Sequence, residues 1–367
     1  MGMGMMRFAP DELRRFGRQV LVAAGLPHEH ADRVVDSLVF ADMRGTGSHG
    51  LARLSIYVRR LQAGVVNPRP RMQWVVEEQA IAILDADNGP GAVAAAEAMQ
   101  KALELAARHG IGACAVRNSN HCGAMAYYVQ MAIERRMMGL AMSNANRTMP
   151  PWGGREALLG TNPISIGLPT PGEVPFLLDM ATSAAARGKI LLAAKQGTLI
   201  PHGWALDSSG RPTRDPKAAL AGLLLPMAGP KGYGLALWVD VLCGVLAGSG
   251  FGRHIGALFE ELDRPQRVGH FMMALDIGRF LDWADYERAM GELLGQIKST
   301  PPAEGFDEVL VPGEPEARSA RRAQKEGIEL PAEVCEELVR LAEELGVVAY
   351  WPSNRVPWAG RETSSGS

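Results

Sequence analysis

A chain of 367 residues is long enough to bury a large core and to divide into two or three domains. Lys and Arg total 38 against 40 Asp and Glu, a formal net charge of -2, and no basic block runs along the sequence, which excludes nucleic acid as a partner. Cys114, Cys122, Cys243 and Cys335 are scattered, with no C-x-x-C and no clustered histidines, which argues against a metal site and for free thiols in a reducing, cytoplasmic compartment.

The N-terminal "MGMGMMRFAPDELRR" has no apolar h-region and does not read as a signal peptide. "PDELRRFGRQVLVAAG" opens with Pro and an acidic first turn, which are helix-start signals. Val34, Val35, Leu38, Val39 and Met43 then recur at helical spacing through residues 31–43. After a glycine break, Ser48 is the expected N-cap of a helix burying Leu51, Leu54, Val58 and Leu61. A linker containing "NPRPR" leads to a strand near residues 80–84, and "AVAAAEAMQKALELAARHG" is an alanine-rich helix closed by glycine. From residue 111 strands and helices alternate: strand "IGACAV", helix "CGAMAYYVQMAIERRMM", strand "GLAMSN". "NPISIGLP" and "PFLLDM" flank a Pro/Gly turn and form a hairpin. "TSAAARGKILLAAKQG" is a helix capped by Thr182 or Ser183. A polar loop, "LDSSGRPTRDPKAAL", leads to the longest apolar stretch, "GYGLALWVDVLCGVLAGSG". Being glycine-rich and carrying Asp240, it reads as a buried helix over 232–247 and not as a membrane span. Strand "GHFMMALDI", surface helix "YERAMGELLGQIKS" and charged helix "PAEVCEELVRLAEELG" follow, and "GRETSSGS" reads as a disordered tail. The strand pair within 163–180 predicts a mixed, mostly antiparallel sheet in an α/β, α+β-like fold.

Gly45, Gly47 and Gly50 spell G-x-G-x-x-G, but a helix and not a strand leads into them, and no Asp or Glu follows until Glu77, so the Rossmann reading fails on context. The glycines read instead as clearance for a ligand beside Ser48, His49 and Arg53. A histidine in a first helical turn is kept neutral by the helix dipole, the state a base needs, and an arginine one turn on offers a planar fork for a carboxylate. A plain helix break with solvated side chains is the alternative. His121, in "RNSNHCGAMAYY", stands at a strand-to-helix junction, where ligands meet exposed N–H groups or where a histidine merely caps. Lys231, between glycines at a helix start, suits a phosphate or carboxylate. Asp179 ends a strand, where an aspartate is commonly a cap or turn residue.

"DMRGTGSHGLAR", "NSNHCGAMAYY", "WGGREALLGTNPISIGLP", "LDMATSAAARGKI", "GWALDSSGRPTRDP" and "GPKGYGLAL" together resemble, in order and spacing, the type 2 malate/L-lactate dehydrogenase family, from about residue 10 to about residue 346. The resemblance implies an NAD(P)-dependent oxidoreductase of a small 2-hydroxy acid such as malate or lactate, with ureidoglycolate and then cyclic imino acids as alternative substrates. It implies a non-Rossmann NAD(P)-binding domain over 119–299, a small α/β segment over 67–118, and a helical domain built from both chain termini, 8–66 with 300–350, ahead of a 351–367 tail. A homodimer with its active site near the subunit interface is implied as well. His49 and His121 have each been proposed as the acid/base in family members, with Ser48 alongside. Arg53 would hold the substrate carboxylate, with Asn146 and Thr161 also on the substrate. Asn144, Asp179, Met180, Ala181, Lys231, Gly232, Gly313 and Glu314 would line NAD or NADP, with NAD favoured. Lys189, where imino-acid reductases tend to have Asp, points to the hydroxy-acid branch. Ureidoglycolate dehydrogenases usually carry an acidic residue near Asn146, and family members commonly have Gln at His270.

Overall fold

A computed structural model describes residues 5–347. The chain opens with β1 (Met5–Phe8), α1 (Pro10–Ala23) and α2 (His28–Met43), passes through 3-10 turns at Gly47–His49 and Leu51–Arg53, and continues into α3 (Leu54–Gln62). Then come β2 (Gln73–Glu78), β3 (Ile81–Asp85), α4 (Gly91–His109), β4 (Ile111–Ser119), α5 (Ala126–Ile133), β5 (Met137–Ser143), β6 (Ile164–Leu168) and β7 (Phe176–Met180). Next are α6 (Arg187–Gln196), β8 (Ala205–Leu206), β9 (Pro212–Thr213), α7 (Pro216–Leu220), β10 (Leu223–Leu224) and α8 (Pro230–Asp240), which runs on as a π-helical turn, Val241–Leu246. β11 (Val268–Asp276), α9 (Trp283–Ser299), α10 (Glu314–Glu326), β12 (Ile328–Pro331) and α11 (Ala332–Glu344) complete the chain.

The described residues up to Gln62, together with those from Glu314 onward, make one compact unit, and Ala63–Gly313 makes the other. In the first, β1 and β12 pair antiparallel from Met5↔Pro331 to Phe8↔Ile328, joining the two ends of the chain. Leu13, Val20 and Leu21 of α1 and Val34, Val35 and Leu38 of α2 are fully buried at helical spacing, and Arg14 Nε bonds Asp36 Oδ1 across them at 3.0 Å.

The second unit is built on a seven-stranded sheet in the order β2-β3-β4-β11-β5-β6-β7. β3 and β4 are parallel, joined by the crossover helix α4, and the other pairings are antiparallel. The fold is mixed α/β. β6 and β7 form the expected hairpin, Ile164↔Met180 to Leu168↔Phe176.

Four readings of the chain after residue 66 need correction. Gln73–Glu78 is a strand and not linker, because it adds an edge to β3. The 122–138 helix is confined to Ala126–Ile133, since Met137 already pairs with Asp276 of β11. Thr182 and Ser183 cap no helix: α6 starts at Arg187, and the two hydroxyls donate to the carbonyls of Thr161 and Ala185. The apolar 232–247 segment buries only its small side, Gly232, Ala236, Val239, Asp240, Cys243, Gly244 and Ala247, while Leu235, Trp238, Val245 and Leu246 face outward. The "GRETSSGS" tail lies outside the described residues.

Candidate active site

Asp42 stands in the last turn of α2, against the loop that carries the first candidate residues. Its Oδ2 accepts the Leu51 N–H at 2.8 Å, and a Cβ on Gly50 would overlap its carboxylate. Gly50 has an extended backbone, φ -89°, so the absence of a side chain there answers to space and not to a left-handed turn. Gly45, at φ 78°, is the residue that needs that freedom as the chain leaves α2. The glycine clearance expected for a ligand is thus, at Gly50, clearance for Asp42.

Ser48 is not an N-cap. α3 begins at Leu54 after two 3-10 turns, and Ser48 Oγ lies instead 3.0 Å from His49 Nδ1. The Arg53 Nε–H donates to the Ser48 carbonyl at 2.6 Å, so turns, and not one helix face, bring His49 and Arg53 together. Burial, with a smaller push from the Arg53 guanidinium, lowers the His49 imidazole to about 4, which leaves it neutral at physiological pH. Burial lowers Arg53 as well, and raises the Asp42 carboxyl to about 7 against the opposing Leu51 N–H.

In the other unit, His121 sits in the turn between β4 and α5. Its backbone N–H donates to Gln266 Oε1 at 2.9 Å, and the Gly123 N–H donates to its Nδ1 at 3.3 Å, so a neutral ring carries its proton on Nε2. Asp179, at the end of β7, accepts the Ala126 N–H at 3.1 Å, which ties the 179–181 segment to the first residue of α5. His270 on β11 is fully buried, with Nε2 2.9 Å from Ser119 Oγ, Nδ1 3.0 Å from Ser143 Oγ, and Cys122 Sγ 3.4 Å from Nδ1. Burial holds that imidazole down to about 3.

Asn144 is buried and its side chain is spent on the fold: Nδ2 donates to Asp240 Oδ1 at 3.1 Å and to the Gly250 carbonyl at 2.8 Å, and Oδ1 accepts the Gly269 N–H at 2.9 Å. Asn162, which sequence reasoning passed over, does the same work, accepting the Ala145 N–H and donating to the Ala236 carbonyl. Thr161 is bound by its carbonyl to the Thr182 N–H and hydroxyl, so it lies beside Ala181, while Met180 pairs with Ile164. Asn146 and Ala181 are half-buried in these loops. Lys231 is exposed in the first turn of α8, with Gly232 buried behind it against Met227. Gly313 closes this unit at φ 96°, and Glu314 opens α10 in the other. Among the described residues no group of three or more His, Cys, Asp or Glu is placed to hold a metal ion. Asp42 opens the "DMRGTGSHGLAR" stretch but was given no role there, and His270 was marked only as a departure from the resembled family; the further clue to Asp42 was the glycine at 50.

The family model for malate/L-lactate dehydrogenase matches residues 8–339, and the chain belongs to that family. It is 39% identical over 350 residues to a malate dehydrogenase of Pyrococcus abyssi, covering 93% of this chain and 96% of the relative. It is 35% identical to the ureidoglycolate dehydrogenase (NAD(+)) of Escherichia coli K12, covering 91% and 95%. The solved sulfolactate dehydrogenase from Methanocaldococcus jannaschii superposes with a TM-score of 0.88 at 38% identity, covering 93% of this chain and 98% of that one.

Proposed function

We infer that this chain is an NAD(P)-dependent dehydrogenase that transfers a hydride between the C2 carbon of a small 2-hydroxy acid and nicotinamide. The observation that carries this reading is His49, neutral at physiological pH, held beside the Arg53 guanidinium on one short loop. Arg53 offers its fork to the substrate carboxylate, and the hydroxyl proton passes to one of two imidazoles, His49 or His121. Asn146 and Thr161 are assigned to the remaining substrate polar groups.

The residues present suit a dinucleotide. The ammonium of Lys231 and the N-terminus of the eleven-residue helix α8 complement an anionic phosphate. Asp179, Met180, Ala181, Gly232, Gly313, Glu314 and the backbone at Asn144 are assigned to the same ligand. Bound NAD(P) supplies the hydride acceptor. NAD is favoured, on the likeness to the relative named for NAD(+). Ala63–Gly313 is then a non-Rossmann NAD(P)-binding unit that also carries His121, Asn146 and Thr161, its sheet largely antiparallel instead of doubly wound, and the unit from both terminal segments bears His49 and Arg53. The outward apolar side of α8 and the π-helical turn supports a homodimer.

Absorbance at 340 nm, with NAD or NADP and a panel of malate, lactate, sulfolactate and ureidoglycolate, tests the reading. Reduction of the cofactor by at least one of them is expected. No turnover in either direction, with the matching oxo acids and cyclic imines included, rejects it.

A further inference from the structure

We propose that Asp42 is the positioning residue of the His49–Arg53 loop, its carboxylate serving as the post over which Gly50 and Leu51 are folded. The inference rests on the dehydrogenase reading for its kinetic consequence, but not for its structural one.

Three contacts carry it. Asp42 Oδ2 takes the Leu51 N–H at 2.8 Å, which fixes the start of the second 3-10 turn. Gly50 lies so close over the carboxylate that no Cβ fits between them, and a Cβ on Gly47 would stand 3.5 Å from Oδ1. Between Gly47 and Gly50 hang Ser48 and His49, and Arg53 is tied back to the Ser48 carbonyl at 2.6 Å. The loop therefore wraps one acidic side chain that touches neither His49 nor Arg53 through any described hydrogen bond, yet sets where both leave the backbone. Burial raises this carboxyl to about 7, so ionising it costs the fold stability, and what it contributes is the set of contacts above. A misplacement of about 1 Å at a reacting group costs on the order of 100-fold in rate.

The test uses the full chain with Asp42→Ala, Asp42→Asn and Gly50→Ala. Kinetic constants for the 2-oxo acid the enzyme reduces are read beside the Kd for the reduced cofactor and the His49 ring resonances. The Ala variant at 42 should lower kcat and raise KM, each by about tenfold or more, shift the His49 resonances, and leave the cofactor Kd within about twofold. The Asn variant keeps an acceptor oxygen for Leu51 and should restore most of both. Gly50→Ala, which pushes the loop off an intact Asp42, should reproduce the Ala result, so the idea stays testable even if Asp42→Ala does not fold. Native His49 resonances and kinetic constants within about twofold in Gly50→Ala, or an Asn variant as impaired as a folded Ala variant, would overturn it. An enzyme inactive on every acid would sink the dehydrogenase reading alone, because the His49 resonances still decide the role of Asp42.

Discussion

His49 and His121 are distinguished by what surrounds each ring. Burial and the Arg53 charge lower His49 to about 4, so it is a neutral acceptor across the physiological range, with Nδ1 directed at Ser48 Oγ. His121 takes the Gly123 N–H on Nδ1, and accepting a proton at Nε2 requires the neutral ring to move its own proton onto Nδ1 and give up that bond. General-base assistance contributes about 10²–10⁴ in rate. Replacing each histidine with Asn should therefore leave one variant slowed by that factor and the other less affected, with cofactor affinity unchanged in both. A pH series of kcat/KM for 2-hydroxy acid oxidation separates the two. If His49 is the base, the rate holds on the acid side down toward about 4, because the ring stays unprotonated until then. Two folded Asn variants with unimpaired turnover would remove both residues from proton transfer. The pairing of His49 with Arg53 was legible as spacing, but the route was not: an i, i+4 helical face and Ser48 capping were expected, and 3-10 turns wrapped on Asp42 do the work instead.

At the scale of elements, β11 is the strand on which the second unit depends, pairing with β4 on one side and β5 on the other. His270 sits between the two partners and joins Ser119, the last residue of β4, to Ser143, the last of β5. These strand ends lead directly into Asn120–His121 and into Asn144, so one buried imidazole fixes two candidate loops. Its protonation state is fixed by the fold. Below about 6.5 the imidazole of an unfolded chain gains a proton that the folded one refuses until about 3. Folded His270 has a depressed pKa, so the unfolded state binds more protons in this window and stability is lost as pH falls. Relative to His270→Gln, which does not titrate, the wild type should lose about 3 kcal/mol between pH values of about 7.5 and 4.5, read from denaturant midpoints. A difference between the two proteins that does not change with pH would mean that the folded imidazole titrates near about 6.5 as it does in the unfolded chain, and one that shifts in favour of the wild type as pH falls would mean that it is charged in the fold. The sequence marked His270 only as a departure from the resembled family. Its partners lie about 130 to 150 positions away, and a pattern of apolar residues along one strand says nothing of which neighbours a polar group will meet.

At the scale of the molecule, the largest mismatch between sequence and structure is the 232–247 segment, and its cause is physical. Mean apolarity fits a helix covered on all sides, but the sequence alternates small and large residues, and the small ones are the buried ones, Val239 and Cys243 against β5 and β6. Trp238 and Val245 are left 44% and 57% exposed in a single chain. Leu191, Leu192 and Leu199, on and just after α6, are exposed in the same unit. Exposed large apolar side chains along one helix face favour a covering partner, and a stable pairing needs roughly 1,200–2,000 Å² buried in total. Two-fold pairing would turn each exposed side chain on α8 into two buried ones, because an isologous contact uses the same patch twice. The homodimer reading therefore predicts that Trp238→Asp with Val245→Asp, on the outward side and away from the small residues packed on the sheet, shifts the protein from dimer to monomer in sedimentation velocity while its far-ultraviolet circular dichroism is retained. Wild-type protein that sediments as a monomer at micromolar concentration would defeat that reading and leave the exposed face of α8 without a partner of its own kind.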